Sequence, residues 1–435
     1  MTLARLTFPA LDAAAGDLAG APRPARTQHV VAMVNGPGEI AAWLYPFAAA
    51  LRERDPSTHL SAGLLPCVFA SGAEPGVLAR MGDVDTVIPV HETMRWIVRG
   101  ERPTGLHHEK GLPGCVLHMG GELWLSAVLA KRLRYPLVVY AEDRVRYASL
   151  ADRICLADTS ALPAKEAQQR TSSVVGNLMV DAARMRVPHR AARDGATRVV
   201  ALFPGSRAYQ VRNMLPFLMK VAGNVAGSHT PTRWIVAQSE FVSDRQLAAF
   251  ADGEPTRVLE GERARLLTAA GGTHKILVSE RGVRFEVRSA GEAMREADLA
   301  LTIPGTNTAE LAALGIPMML LFPTHHLRDI RLPGLVGLLR NVPILGPRLT
   351  QAVAESYLRT RRFWAHPNRR ANDAVVPEVI GRFTAGQIAE RVSALLDTSL
   401  AATAQRLRST MGPPGGAARL VDEVMDLIAT SGRRW

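Results

Sequence analysis

Two tandem α/β halves of the Rossmann type are what the sequence predicts, and three observations carry the prediction. Short continuous apolar runs alternate with helical patterns, as parallel strands covered on both faces should. The alternation breaks once, at 184–197, where Arg184-Met-Arg-Val-Pro-His-Arg-Ala-Ala-Arg-Asp-Gly is polar and basic, and then restarts. In both halves some apolar runs end in glycine-bearing turns that lead into a helix pattern. In open α/β sheets ligands sit at such strand ends.

The elements follow in order. His29–Val34 is a β-branched strand ending in Asn-Gly-Pro-Gly-Glu (35–39), with a helix from Ile40 to Arg54. Leu60–Cys67, Thr86–Val90, Cys115–Met119, Pro136–Tyr140, Arg153–Leu156 and Ser173–Val175 are strands; Gly76–Met81 and Leu123–Leu133 are helices. After the break, Thr197–Phe203 runs into Pro-Gly-Ser-Arg (204–207) and a helix over 209–226. Trp234–Ala237, Lys275–Ser279, Leu299–Thr302 and Pro317–Leu321 are strands, with helices at Gly291–Ala297 and 308–314. The expected organisation is a flexible extension 1–27, a first domain 28–190, a second domain 191–376 and a helical segment 377–435. No short-period repeat is visible.

Composition narrows the function. The chain has 435 residues, 21% of them charged, and a mean hydropathy near zero. A disordered chain, a coiled coil and a multi-span membrane protein are excluded. The net charge is +12, and only five basic residues are Lys. That balance suits nucleic acid, an anionic membrane surface or an acidic substrate. Cys67, Cys115 and Cys155 lack metal-ligand or redox spacing and read as buried thiols of a reducing cytoplasm. The first 27 residues lack the apolar core of a secretory signal, and no run of 18 apolar residues occurs.

Four loops could carry chemistry. In Pro204-Gly205-Ser206-Arg207, glycine allows close backbone approach to an anion, serine adds a donor, and arginine offers a fork suited to phosphate. The following helix aims its positive end at the same spot. In Pro304-Gly305-Thr306-Asn307-Thr308-Ala309-Glu310, Gly305, Thr306 and Asn307 could meet a diphosphate, and Glu310 the ribose hydroxyls. The competing reading is a helix capped by Thr306 or Thr308. The loop Asn35–Glu39 departs from G-x-G-x-x-G, which argues against NAD, and offers Glu39 as a base or ligand. In His118-Met-Gly-Gly-Glu122, Glu122 is the candidate general base and His118 its rival. Each of Glu39, Glu122 and His118 also has a purely structural reading, as a first-turn carboxylate or a core histidine. His325-His326 lacks a nearby carboxylate, so no metal site is expected. The stretch 327–349 is apolar and carries Arg328, Arg331, Arg340 and Arg348, which suits either an anionic membrane interface or a packed helix pair.

These residues resemble the lipid-A-disaccharide synthase family over about 30–395, weakly in the first half and clearly in the second. Leu202-Phe-Pro-Gly-Ser-Arg with Val211-Arg-Asn-Met-Leu-Pro is similar to the family's L-P-G-S-R and I-R-R-L-L-P. Val175-Gly-Asn with Asp181, the segment Ala297–Pro317, Pro367-Asn368 and Val375-Val-Pro-Glu378 match further signatures. The first-half loops depart: Asn35–Glu39 replaces G-E-A-S-G-D, and Glu122 stands where the family carries a candidate catalytic Asp. The resemblance implies a GT-B fold of two Rossmann-like domains with an inter-domain cleft. It implies an inverting transfer from a UDP-sugar, used as co-substrate without a further cofactor, to a lipid or acylated-sugar acceptor. It also implies peripheral attachment to the inner face of the cytoplasmic membrane and, in many members, a homodimer. The remodelled first half points to a different acceptor. A UDP-sugar epimerase of the same architecture is the alternative. Nucleic-acid binding comes last, because aromatics are only 5% and no recognition motif occurs.

Overall fold

The computed structural model describes residues 26–67, 70–104, 106, 112–162, 171–190, 197–225, 231–253, 259–268, 274–324 and 362–431. The chain forms two compact units, Met1–Arg186 with Pro413–Trp435, and Val187–Gly412.

The first unit is built on seven parallel strands: β1 Gln28–Val34, β2 Thr58–Leu64, β3 Thr86–Ile88, β4 Gly114–His118, β5 Leu137–Ala141, β6 Arg153–Leu156 and β7 Ser172–Val174. Their order is β3-β2-β1-β4-β5-β6-β7. Residues Val30–Val34 and Val116–Leu117 are wholly buried, which explains why these strands read as continuous apolar runs. The helix after β1 begins at Pro37, carries a π segment Ile40–Leu44 and continues over Tyr45–Arg54. Arg186 donates to the Ala41 carbonyl at 2.9 Å and lies over the Tyr45 ring, serving a carbonyl of the π segment. Arg26, read from sequence as part of a flexible extension, is tied to Asp85 at 2.7 Å. Burial works against the Asp85 charge. The Leu60 N–H and the Arg52 and Arg26 guanidinium groups outweigh it and hold the carboxyl below its ordinary range.

The second unit contains β8 Arg198–Phe203, β9 Thr232–Gln238, β10 Ala264–Thr268, β11 Lys275–Ser279, β12 Arg284–Ser289, β13 Leu299–Thr302, β14 Met318–Pro323 and β15 Glu378–Gly381. The order is β10-β11-β12-β9-β8-β13-β14-β15. Here the structure differs from the all-parallel expectation: β10 and β11 pair antiparallel at one edge. Gly271-Gly272 between β10 and β11 and Gly282 between β11 and β12 are turn signals for hairpins that the strand-by-strand reading passes over. The core packs the helix Ala208–Val225 and the helix Ala385–Leu396 on the sheet through Phe217, Leu218, Ile388 and Val392.

The residues after 377, read as one helical segment, are shared between the units. They open with β15, which pairs parallel with β14 and completes the second sheet. The helix Gly416–Ser431 instead belongs to the first unit and buries Leu420, Val421, Val424 and Ile428. Each such side chain contributes roughly 1.5–3 kcal/mol of burial.

Leaving the added strands aside, both sheets have the same plan. In the first unit the core order is third, second, first, fourth, fifth, sixth in chain sequence; in the second unit β12-β9-β8-β13-β14-β15 repeats it. The order reverses between the first and fourth strands, and that reversal opens a crevice at their carboxyl ends.

Candidate functional site

All four candidate loops leave the first or fourth strand of their sheet. In the second unit Thr302 of β13 pairs with Phe203 of β8, so the loops 204–207 and 303–306 start side by side. Gly205 has φ +115°, and a Cβ there would lie 2.7 Å from Gln210 Oε1 and 2.9 Å from Ile303 Cδ1. Only glycine suits this turn. The Arg207 carbonyl accepts from Gln210 N and Val211 N, which starts the helix Ala208–Val225 at this corner. Ser206 and Arg207 are half-buried.

Gly305 is exposed, while Thr306 and Asn307 are half-buried. Asn307 Nδ2 donates to Thr302 Oγ1 and fixes the loop to the strand end. No side chain caps the helix Asn307–Ala313, so neither threonine acts as the cap that the competing reading required. Thr308 Oγ1 donates to the Gly305 carbonyl at 2.9 Å and lies 2.9 Å from His366 Nδ1. Glu310 is only 2% exposed. It lies in the first turn of the helix Asn307–Ala313, where the sequence placed it.

In the first unit Met33 of β1 pairs with His118 of β4, and Met119 N bonds the Met33 carbonyl at 2.9 Å. The loops 35–39 and 119–122 therefore share one corner. A Cβ on Gly120 would sit 2.7 Å from Asn35 Oδ1 and 2.9 Å from Glu39 Cγ. Gly121 has φ +86°, and a Cβ there would press on Leu65. The glycine pair lets the β4 loop lie directly on Asn35 and the Glu39 stem. Glu39 is half-buried; Glu122 is exposed and precedes the helix Leu123–Leu133. Trp43 donates to Glu142 at 3.2 Å, which brings the short Ala141–Arg144 loop to the same helix start.

His118 is not an available base. It is buried, its Nδ1 lies 2.8 Å from Ser126 Oγ, and desolvation pushes its pKa down to about 4. The histidine pair 325–326 and the basic stretch 327–349 lie outside the described residues. Among the described residues no helix is long and apolar enough to cross a membrane.

Several sequence signatures turn out to be clasps. The buried Asn368 accepts from Val375 N and Val376 N at 2.8 and 2.9 Å and donates to the Val376 carbonyl. Glu378 accepts from Trp364 N, Ala365 N and Asn368 Nδ2. Pro-Asn and Val-Val-Pro-Glu thus hold each other. Likewise Asp181 accepts from Gly415 N and Ala417 N and caps the helix Gly416–Ser431. The Val175 carbonyl accepts from Arg419 Nε, and Gly176, at φ +102°, leaves room for that arginine. His366 escaped sequence reasoning because its partner Thr308 is 58 residues away. The His-Pro-Asn run was its only local signal.

The two parallel-dominated units define a two-domain GT-B fold. The S. aureus MnaA–UDP co-structure aligns over 92% of this chain and 98% of its own, at 13% identity and a TM-score of 0.54. A Listeria monocytogenes putative UDP-N-acetylglucosamine 2-epimerase aligns over 92% and 95%, at 13% identity and 0.51. By sequence the chain is similar to lipid-A-disaccharide synthases. The Geobacter metallireducens synthase is 22% identical over 324 residues, covering 70% of this chain and 72% of the relative. The Geobacter sulfurreducens synthase is 24% identical over 178 residues, 40% of each chain. No protein-family model matches the sequence.

Proposed function

We propose that the chain is an inverting GT-B glycosyltransferase that moves a sugar from a UDP-sugar to a hydroxyl of a lipid or acylated-sugar acceptor. The observation that carries the reading is the pair of loops 204–207 and 303–306 on adjacent parallel strands at the reversal of the second sheet. The names of the sequence relatives support the reaction class, and UDP in the MnaA co-structure supports the nucleotide.

In this reading Gly205, Ser206, Arg207, Gly305, Thr306 and Asn307 hold the diphosphate. Arg207 and the loop dipoles, rather than a metal, neutralise the charge that develops on the leaving group. Glu310 accepts from the ribose at the enclosed end of the site. On the first unit, Glu39 or Glu122 takes the proton of the acceptor hydroxyl. The acceptor oxygen bonds to the anomeric carbon from the face opposite the diphosphate, the bond to the diphosphate oxygen breaks, and UDP leaves.

Attachment to an anionic membrane face on the cytoplasmic side belongs to the same proposal. The described residues support it independently of 327–349. Six of their nine exposed large hydrophobics, Val90, Val98, Trp124, Val128, Tyr147 and Leu150, lie on three neighbouring segments of the first unit. Arg132 joins two of these, donating from the helix Leu123–Leu133 to the Ile97 carbonyl at 2.8 Å. Exposed aromatic and aliphatic side chains among arginines suit a lipid interface.

Calorimetric titration with UDP tests the donor half. Binding that Arg207→Ala weakens is expected; no binding by the intact protein, with the variant indistinguishable from it, overturns the proposal. Incubation with UDP-N-acetylglucosamine alone separates the alternative, since epimerisation without acceptor would replace transfer by epimerase chemistry.

A further inference from the structure

We propose that Asn35 is a binding residue for the acceptor, its side-chain amide engaging a sugar hydroxyl at the carboxyl ends of β1 and β4; this deepens the transferase reading and rests on it. Asn35 is the first residue after β1. Among the described residues its Oδ1 is buried and has no hydrogen-bond partner. A buried acceptor left unpaired carries its desolvation cost uncompensated, whereas an apolar side chain of similar shape would not.

The position is equally specific. Asn35 stands in the crevice between the first and fourth strands, where ligands of such sheets are placed. What covers it is Gly120, so close that a Cβ would be 2.7 Å from Oδ1. The neighbouring Gly121 is in the left-handed region. The cover is therefore bare backbone with glycine's freedom to shift. A modest displacement of Gly120–Gly121 would uncover the amide beside Glu39, whose Cγ would be 2.9 Å from the same Cβ. An amide offers one acceptor and two donor hydrogens in a fixed plane, a match for a hydroxyl that must both donate and accept. Asn35 would hold the acceptor's hydroxyl while a neighbouring carboxylate removes its proton. It is a binding and positioning residue, distinct from the base.

The test uses the full chain with Asn35→Leu, close in shape, and Asn35→Ser, which keeps a smaller polar group. Thermal unfolding is measured alongside ligand-observed NMR of octyl β-D-glucopyranoside below its micelle concentration. Relief of the unpaired amide should raise the unfolding midpoint of Asn35→Leu by roughly 2–4 °C. The same variant should bind the glycoside at least fivefold more weakly, with Asn35→Ser in between. A lowered midpoint in both variants would show a structural amide and overturn the proposal. So would equal glycoside affinity in all three proteins, or no binding by the unaltered chain. UDP titration of each protein keeps the outcomes separate: lost UDP binding by the unaltered chain defeats the donor reading, whereas unchanged UDP binding with either adverse result defeats only the role of Asn35.

Discussion

The strand-reversal corner of the first unit and that of the second share a backbone plan and differ in chemistry. Both place a loop after the first strand beside a loop after the fourth, in matching register. The second corner presents Ser206, Arg207, Thr306 and Asn307, a set of donors and one fixed cation. The first presents Asn35, Glu39 and Glu122, two carboxylates and an amide, under a Gly-Gly cover. In the proposed reading one corner binds an anion and the other removes a proton. The difference lies in a handful of loop side chains, because strand order fixes where the corner is and leaves its chemistry open.

Acidification should separate the corners most strongly. His118 ends β4 and its pKa is pushed down to about 4 by burial. A folded-state value below the unfolded one means the unfolded chain takes up the proton first, so stability falls as pH drops from about 6.5 towards 4. The loss approaches roughly 3 kcal/mol at the lower end. The first unit should unfold earlier on acidification than the second, and His118→Gln should flatten that slope. Equal slopes for both proteins in pH-resolved denaturation would break the assignment.

Arg207→Ala comes next. Removing a charge-assisted hydrogen bond costs about 1.5–3 kcal/mol, so UDP affinity should fall roughly 10- to 100-fold by calorimetry, with the unfolding midpoint little changed. Glu122→Gln and Glu39→Gln should leave UDP affinity unchanged and lower transfer; the carboxylate whose loss costs more is the base. Gly120→Ala should destabilise the first unit by about 1–3 kcal/mol, since its Cβ meets Asn35 and Glu39. UDP affinity measured on the same variant should not move, and a change there would mean that the corners are not independent. The smallest effect is expected for Asp181→Ala. Loss of the cap on the helix Gly416–Ser431 should cost about 1 kcal/mol and speed proteolysis of that helix.

The sequence by itself determined the alternation of strands and helices, the two halves and the four loops worth watching. These are local properties: buried parallel strands must be continuously apolar, and tight strand-to-helix turns need glycine. Tertiary structure alone decided which loops meet. Strand order pairs β1 with β4 and β8 with β13, and no local pattern encodes an order that crosses over. It also decided that His118 faces Ser126 rather than solvent, that Glu310 is enclosed, and that Asp181 and Asn368 are clasps. The split of the C-terminal residues between units was equally hidden. Burial and long-range hydrogen bonds arise only when distant segments pack, so a side chain's chemical type is legible in the sequence while its surroundings are not.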